Sequence, residues 1–390
     1  MRQRDPEKMV ARPVTVVQMV PELDAGGVER GTLELGRYLV RQGYRSIVIS
    51  GGGRLVPQLE SEGSEHVLWD VGKKSPVTLR YIPRLKKFLR REKIDILHLR
   101  SRVPAWVGYL AWRGSPLNQR PRLVTTFHGF YSINRYSAVM TKGERVIAIS
   151  QVIKDHVREV YRIPEERIVL IHRGVDIDLF DPGRVSAGRI KSLEDAWNIT
   201  SRDKPLIMLP GRVTSWKGHD VFMKSLAVIR DLDWSAVCVG ELDRNSTYVR
   251  QILSLMEELH LEKRVRFVEH CSDMPAAYLL ADIVVSASAA QAEAFGRVAV
   301  EAQAMERPVV ATAHGGSLET VVEGKTGWLV TPGDADDMAK ALAIPLTQQK
   351  LARQYGVNGR KWVRDNFTVE KMCAQTVALY ENLLTTASPT

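Results

Sequence analysis

The sequence predicts an α/β protein built from two doubly wound parallel-sheet domains. Short runs rich in β-branched residues alternate with helix patterns, turns that contain glycine often join them, and the alternation occurs twice along the chain. Such alternation is typical of right-handed βαβ crossovers and of a parallel sheet covered on both faces. The length of 390 residues also exceeds one typical core and favours two domains.

The first series begins with the strand pattern VTVVQMV at 14–20, followed by the loop PELDAGG and a helix pattern. One face of that helix repeats at helical spacing through Val28, Thr32, Leu35 and Leu39. Later strand patterns are RSIVIS, DILHLR, RLVTTFH, RVIAIS and RIVLIH, and helix patterns cover 78–92, 103–112 and 151–160. These elements predict a first domain over residues 1–180.

The second series runs from PLIMLPG through SAVCVG, RVRFV, DIVVSAS, RPVVAT and GWLVTP, and predicts a second domain over 195–365. Between the two series, residues 178–204 gather Pro, Gly, Ser and charge, which indicates an interdomain linker. The chain after residue 335 is helical by pattern. Its last apolar positions need a surface to pack on, among them Val377, Leu379, Tyr380 and Leu383.

Composition narrows the class of protein. No apolar run approaches the ~18 residues of a membrane helix, and the first 13 residues are charged where a signal peptide is apolar. The three scattered cysteines predict neither a disulfide framework nor a metal site, and favour the reducing cytosol. The net charge of +10 favours an anionic partner: nucleic acid, a phosphorylated metabolite or an anionic membrane face.

Two loops between a strand and a helix carry groups suited to anions. Gly26 and Gly27 form either a phosphate or sugar contact at a helix start or simply a tight turn. Their spacing is not GxGxxG, which argues against a nicotinamide oxidoreductase. In LPGRVTSWKGHD, Arg212 and Lys217 either converge on one pyrophosphate or are ordinary surface charges.

The segment EAFGRVAVE holds two carboxylates around a predicted helix start. Glu293 precedes the helix, and Glu301 lies about one turn, or ~6 Å, into it. Carboxylates accept hydrogen bonds from vicinal sugar hydroxyls, and the amides of Phe295 and Gly296 donate to sugar or phosphate oxygens. A capping acid and an exposed helix glutamate are the alternative interpretation.

The eight-residue spacing of Glu293 and Glu301 resembles the E-x7-E signature of retaining glycosyltransferases of family four. Further similar segments occur in family order: GGVER at 26–30, TTFHG at 125–129, GVD at 174–176, GRVTSWKG at 211–218 and TGWLVTPGD at 326–334. The resemblance implies the GT-B fold, in which two Rossmann-like domains face a cleft. It also implies that a C-terminal helix, about 366–390, packs back on the first, acceptor-side domain, while the second binds the donor.

The resemblance further implies functional residues. His128 and Glu293 are expected at the reacting centre, where His128 lies near the anomeric carbon and Glu293 holds the donor sugar. Arg212 and Lys217 neutralise the pyrophosphate, and Glu301 holds the ribose. The full expected donor site of a UDP- or GDP-sugar is Gly26, Gly27, Arg212, Lys217, Phe295, Gly296 and Glu301.

Three segments depart from the family or compete with it. His172 and Arg173 stand before Gly174 where the family commonly has asparagine, and Glu241 opens a turn that is usually rich in glycine. Asp176-Ile177-Asp178 reads as a DxD metal motif. We nevertheless expect no metal and no other cofactor, because the cationic side chains supply the charge that a metal would provide.

The segment LRYIPRLKKFLRREK predicts a basic helix with Leu79, Ile82, Leu85 and Leu89 on one face. This helix either lies on an anionic membrane or is a solvated crossover helix. The adjacent RSRVPAW resembles family members that build lipopolysaccharide core. We therefore expect an anionic glycan or glycolipid acceptor, with Arg100, Arg102 and Arg173 as candidate contacts.

The expected location is the cytoplasm, peripheral on the inner face of the cytoplasmic membrane, with no nucleic-acid partner. The alternatives are a nucleotide-sugar epimerase or phosphorylase of the same fold, and a nucleic-acid-binding protein. The latter accounts for the net charge of +10 but not for the paired carboxylates and cations.

Overall fold

The computed structural model describes residues 12–24, 26–199 and 203–386. The chain forms two compact units: the first takes residues up to 149, 153–171 and the chain from 373, and the second takes 150–152 and 172–372. Most of the charged start used in the signal-peptide prediction, residues 1–11, lies outside the described residues. Within the described residues, no helix has both the length and the apolar character that crossing a membrane requires.

The first unit contains a seven-stranded, all-parallel sheet in the order β3-β2-β1-β4-β5-β6-β7. Its strands are β1 (Thr15–Met19), β2 (Arg45–Ser50), β3 (Glu65–Leu68), β4 (Ile96–Leu99), β5 (Arg122–Phe127), β6 (Arg145–Ala148) and β7 (Ile168–Leu170). Every residue of β1, β4 and β5 is buried. Helices therefore cover both faces of the central strands, as a parallel sheet requires.

The helices of this unit are α1 (Gly27–Arg41), α2 (Val56–Ser61), α3 (Tyr81–Arg91), α4 (Arg102–Arg113) and α5 (Gln151–Tyr161). The basic helix α3 differs from its prediction, because a 3₁₀ turn at Pro76–Arg80 precedes it. Three residues per turn break the α-helical period, so Leu79 leaves the apolar face and is 51% exposed. The buried face consists of Tyr81, Leu85, Phe88 and Leu89.

The second unit contains a six-stranded, all-parallel sheet in the order β10-β9-β8-β11-β12-β13. Its helices are α6 (Ala187–Ala196), α7 (His219–Val228), α8 (Thr247–Glu258), α9 (Met274–Leu280), α10 (Arg297–Ala304), α11 (Ser317–Thr320), α12 (Ala335–Thr347), α13 (Gln349–Asn366) and the start of α14 (Val369–Thr385). Its strands are β8 (Leu206–Pro210), β9 (Ser235–Val239), β10 (Val265–Val268), β11 (Ile283–Ser286), β12 (Val309–Thr312) and β13 (Gly327–Val330). The two parallel sheets confirm the predicted fold class.

The predicted linker 178–204 is wrong for most of its length, because this stretch carries α6 and belongs to the second unit. Arg189 of α6 pairs with both carboxylate oxygens of Asp273 at 2.7 and 2.6 Å. The Ser and Gly residues of this stretch cap helices and form turns. Ser186 Oγ, for example, accepts a hydrogen bond from the Arg189 amide at the start of α6. The main stretch of the first unit accordingly ends at Ile171 rather than at 180, and the chain returns to this unit at Cys373. Residues 200–202 lie outside the described residues.

The C-terminal helix α14 belongs to the first unit from Cys373 onward. The hydroxyl of its buried Tyr380 lies 2.6 Å from His98 Nδ1, and His98 Nε2 lies 2.6 Å from Thr126 Oγ1. Burial holds the pKa of His98 well below its usual value and raises the pKa of Tyr380. A neutral hydrogen-bonded chain thus joins α14 to β4 and β5, and gives the apolar tail its packing surface.

Candidate functional site

The strand order of each sheet reverses between two neighbours, β1 and β4 in the first unit and β8 and β11 in the second. Loops that leave the carboxyl ends of such strands run in opposite directions and open a crevice where α/β folds bind ligands. Gly26 and Arg100 follow β1 and β4, while Lys217 and Glu293 follow β8 and β11. The candidate residues thus lie beside both reversal points.

At the reversal point of the second sheet, Lys217 Nζ lies 2.5 Å from Glu293 Oε1. Ser288 Oγ donates to the same carboxylate oxygen at 2.7 Å, and the Lys217 ammonium also lies 4.3 Å from the centre of the Trp216 ring. The side chains of Lys217 and Glu293 are only 16% and 15% exposed. Two residues to which the resemblance gives separate roles therefore form one ion pair.

A glycine turn brings Lys217 to this position. Gly218 has φ of +69°, and a Cβ atom on it would lie 1.8 Å from the carbonyl oxygen of Ala287, just after β11. A side chain at residue 218 would therefore push the turn away from β11. The Ala289 amide completes the contact by donating to the Trp216 carbonyl at 3.1 Å.

The Glu293 loop is held by a second glycine turn, after β12. Gly315 has φ of +60°, and its Cβ would lie 2.3 Å from the Glu293 carbonyl oxygen. The Gly316 amide donates to that same oxygen at 2.7 Å. In the sequence, the two consecutive glycines directly after a strand pattern are the signal that indicates this close backbone approach.

Glu301 is oriented by two neighbours that sequence reasoning missed. Tyr278 Oη donates to Glu301 Oε2 at 3.0 Å, and Arg297 Nε donates to Oε1 at 3.0 Å. The carboxylate is 12% exposed. Arg297 was detectable as an i, i+4 partner on α10, whereas Tyr278 comes from α9 and has no local signal.

The start of α10 offers free backbone donors. Phe295 is 3% exposed and packs on Phe367, with ring centres 5.6 Å apart, which fixes the loop. Gly296 caps the helix, and the amides of Phe295 and Gly296 donate to no other residue in the described part of the chain. Arg212 is exposed and makes no ion pair with another described residue. Amides and guanidinium are therefore available to an anionic ligand.

The candidates of the first unit occupy the carboxyl edge of its sheet. Gly26 directly precedes α1, and the half-buried His128 directly follows β5. Arg100 is 5% exposed and donates to Gln18 Oε1 at 2.8 Å. The Arg102 guanidinium stacks on the rings of Tyr131 and Tyr136, 4.8 and 5.4 Å from their centres. The roles of these residues stay predictions.

His172, which departs from the family pattern, has a hydrogen-bond partner in the second unit. His172 Nε2 lies 2.7 Å from Glu319 Oε2, and the carboxylate also accepts from the amides of Gln151 and Val152 at 2.8 and 3.2 Å. Burial raises the pKa of Glu319, but these hydrogen bonds outweigh it and hold the pKa below its usual value. The neighbouring Arg173 is 7% exposed.

The carboxylates of the DxD segment are engaged elsewhere. Asp176 Oδ1 accepts from the amides of Asp178 and Leu179, both at 3.1 Å, and Asp178 pairs with Arg184 at 2.9 Å. No cluster of three His, Cys, Asp or Glu side chains suited to a metal ion occurs among the described residues. Both aspartates therefore have protein partners, and metal independence stays a prediction.

Comparison with known proteins identifies the family. Residues 25–179 match the family model "Glycosyltransferase Family 4", and residues 193–362 match the family model "Glycosyl transferases group 1". A glycosyltransferase structure from Rickettsia africae ESF-5 is 34% identical, covers 96% of this chain and 100% of its own, and superposes with a TM-score of 0.87. This chain belongs to the family 4 glycosyltransferases. It is an enzyme of hexosyltransferase type with the GT-B fold.

Other similar proteins match nearly the whole length of this glycosyltransferase. N-acetyl-α-D-glucosaminyl L-malate synthase of Bacillus anthracis is 25% identical, over 93% of this chain and 95% of its own. The capsular polysaccharide biosynthesis glycosyltransferase CapM of Staphylococcus aureus is 24% identical, over 95% and 96%. The Anabaena protein HepE, crystallised with UDP and glucose, shares the fold at 22% identity, with a TM-score of 0.81 over 95% of this chain and 99% of its own.

His219, the first residue of α7, makes a pH dependence testable. It is fully buried beside Lys217, and burial lowers its pKa to about 4, with a further contribution from Lys217. An unfolded histidine takes up a proton near pH ~6.5, so the free energy of unfolding should fall by about 3 kcal/mol between pH ~6.5 and pH ~4.

Urea denaturation across this pH range measures the effect. In His219→Asn, most of this acid-dependent decrease in the free energy of unfolding should be absent. In His260→Asn, which replaces an exposed histidine of the same unit, the decrease should be as large as in wild type. An equal acid dependence in wild type and His219→Asn would contradict the assignment.

Proposed function

We propose that this glycosyltransferase moves a sugar from a UDP- or GDP-sugar to an anionic cell-envelope glycan or glycolipid, with retention of the anomeric configuration and without a metal. The observation that carries the proposal is the Lys217–Glu293 pair at the reversal point of the second sheet, 2.5 Å between charged atoms. It places a cation suited to phosphate beside a carboxylate suited to sugar hydroxyls. The names of HepE's ligands and of CapM's capsular pathway support the donor and acceptor classes.

The donor's charged part is bound by cations and amides. Arg212 and Lys217 contact the pyrophosphate, the arginine as a bidentate fork and the lysine as a point charge. The free amides of Phe295 and Gly296 at the start of α10 add donors with the favourable helix dipole. Gly26 and Gly27, at the start of α1 in the first unit, are the remaining residues that the family resemblance assigns to the donor.

The carboxylates bind hydroxyls. Glu301, fixed by Tyr278 and Arg297, accepts from the ribose, because a carboxylate held by two donors keeps lone pairs for a third partner. Glu293 accepts from hydroxyls of the transferred sugar. His128 positions the sugar or the acceptor.

A front-face mechanism, in which the acceptor attacks from the side that the leaving group departs from, fits these roles of the carboxylates. Retention by double displacement needs a carboxylate nucleophile on the far side of the anomeric carbon, yet Glu293 is bound to Lys217 and Ser288. In the front-face route the diphosphate departs with its charge met by Arg212, Lys217 and the helix amides. The acceptor hydroxyl attacks from the same side and passes its proton to the leaving phosphate.

The first test is a screen of UDP- and GDP-sugars in excess EDTA. One donor should stabilise the protein by about 2.7 kcal/mol at 100 times its dissociation constant, and slow hydrolysis of that donor should persist in EDTA. Thermal shift and release of the nucleoside diphosphate measure both. Activity that requires added Mg²⁺ or Mn²⁺ would contradict metal independence, and an epimerised nucleotide sugar as product would contradict transfer.

Replacing the carboxylate that holds Lys217 should separate binding from transfer. Glu293→Gln frees the ammonium for phosphate, so we expect UDP or GDP to bind about three- to tenfold more tightly, while turnover falls by about 10²-fold or more through loss of the sugar contact. Calorimetry and initial rates measure the two effects. Glu262→Gln, at an exposed glutamate of the same unit, should change neither nucleotide binding nor turnover. Weaker nucleotide binding by Glu293→Gln would contradict the proposal that phosphate replaces Glu293 as the partner of Lys217.

The front-face route predicts the absence of a covalent intermediate. Wild-type protein incubated with a slow fluorinated donor should keep its unmodified mass, because no side chain attacks the anomeric carbon. Intact-protein mass spectrometry measures this. A glycosyl adduct mapped to Glu293 or any other carboxylate would replace the front-face proposal with double displacement.

The exposed basic face of α3 supports reversible binding to the anionic inner face of the cytoplasmic membrane. Each cation near such a surface contributes about 1 kcal/mol, and salt screens it. Lys86→Glu with Lys87→Glu should therefore abolish sedimentation with phosphatidylglycerol vesicles at low salt, whereas Lys224→Glu with Lys263→Glu, exposed in the second unit, should retain it. Equal binding to neutral phosphatidylcholine vesicles would reject the proposal.

A further inference from the structure

A cavity of about 380 Å³ opens in the first unit, a size within the range of small-molecule pockets. Its walls come from three segments that follow β3, β4 and β5: Thr78 and Leu79, then Val103, Trp106 and Val107 of α4, then Tyr136. All three segments leave the carboxyl edge of the sheet, the edge that also carries His128. The cavity therefore lies on the ligand-binding edge of this unit.

The interior of the cavity is apolar. Trp106 Nε1 donates to the Tyr136 carbonyl at 2.9 Å, so its one polar atom is satisfied and its ring lines the wall. Leu79 belongs to the cavity lining and is nevertheless 51% exposed. An exposed apolar side chain in the wall of an apolar cavity indicates an apolar ligand that continues outward from it.

The rim of the cavity is cationic. Tyr136 is flanked by Lys74 Nζ at 5.9 Å and by the Arg102 guanidinium at 5.4 Å from its ring centre. Within the described ranges, neither cation forms a salt bridge with a carboxylate. The aromatic ring holds both charges in place while leaving them uncompensated, which favours an anionic group at the rim.

We propose that this cavity binds the acceptor of the transfer reaction, and that the acceptor is an amphipathic molecule whose apolar chain carries a phosphate. The chain lies against Trp106 and Leu79, and the phosphate contacts Lys74 and Arg102. This inference rests on the proposed function, because only a transfer reaction has an acceptor, and it goes beyond that function by naming the acceptor's chemical class.

A larger cavity of about 520 Å³ lies in the second unit and is lined by Lys204, Asp282 and Arg307 among others. It lies at the amino ends of the strands, at the edge of the sheet opposite to the donor residues.

The probe is decyl phosphate, titrated by calorimetry into the full-length protein below its micellar concentration. We expect it to bind at least about tenfold more tightly than inorganic phosphate, which lacks the chain, and than decyl glucoside, which lacks the charge. Leu79→Ser and Lys74→Ala should each weaken binding by about five- to tenfold. The matched controls Leu117→Ser and Lys142→Ala, both exposed in the same unit and outside the cavity, should leave it unchanged.

Loss of affinity in the controls as large as in the cavity variants, or equal binding of inorganic phosphate and decyl phosphate, overturns the proposal. A diazirine-bearing decyl phosphate locates the site independently: cross-links within 73–79 or 102–107 support it, and cross-links only elsewhere overturn it. UDP and GDP binding by Leu79→Ser and Lys74→Ala should match wild type. Failure of wild type to bind any nucleotide would reject the proposed function while leaving the decyl phosphate result to stand or fall alone.

Discussion

The constraint on which the rest of the structure depends is that every strand pair in both sheets is parallel. A parallel pair requires a crossover connection, and the crossover helices cover both faces of the sheet. Polar groups then have few places to lie except the loops at the two edges. Chemistry concentrates at the carboxyl edge, at the points where β1 meets β4 and β8 meets β11.

In the second unit, the two loops that carry Lys217 and Glu293 must approach neighbouring strand ends closely. Lys217 and Glu293 are far apart in sequence, yet two glycine turns, at Gly218 and Gly315, press their loops onto neighbouring strand ends. In the absence of ligand, each charge neutralises the other at low exposure. In the proposed donor complex, a diphosphate replaces Glu293 as the partner of Lys217, and sugar hydroxyls together with Ser288 hydrogen-bond the Glu293 carboxylate.

The two units present different chemistry to a substrate. The second unit offers cations, carboxylates and amides, which suit a polar and charged donor. The first offers buried Arg100, the stacked Arg102 and an apolar cavity next to exposed Leu79. This division fits the proposed donor, rich in hydroxyls and phosphates, and the proposed acceptor with an apolar part, and the net charge of +10 is consistent with an anionic group on each.

Local sequence was sufficient where a pattern repeats. Alternating strand and helix patterns determined two parallel sheets. The positions of Lys217 and Glu293 in loops and of Glu301 on a helix followed from them. It misplaced the boundary at 178–204, because capping Ser and turn-forming Gly look the same in a linker and at the start of α6. It also placed Leu79 on the buried face of α3, because a 3₁₀ turn is not distinguishable by periodicity.

The sequence by itself thus determined the fold class, the family and the loops that carry the candidate residues. Only the tertiary structure decided the contacts among them: Lys217 with Glu293, Tyr278 with Glu301, and His172 with Glu319. The physical reason is that hydrophobic periodicity depends on neighbours within one element. A hydrogen bond between loops of different strands depends on which strands are adjacent and on how closely glycine lets their backbones approach.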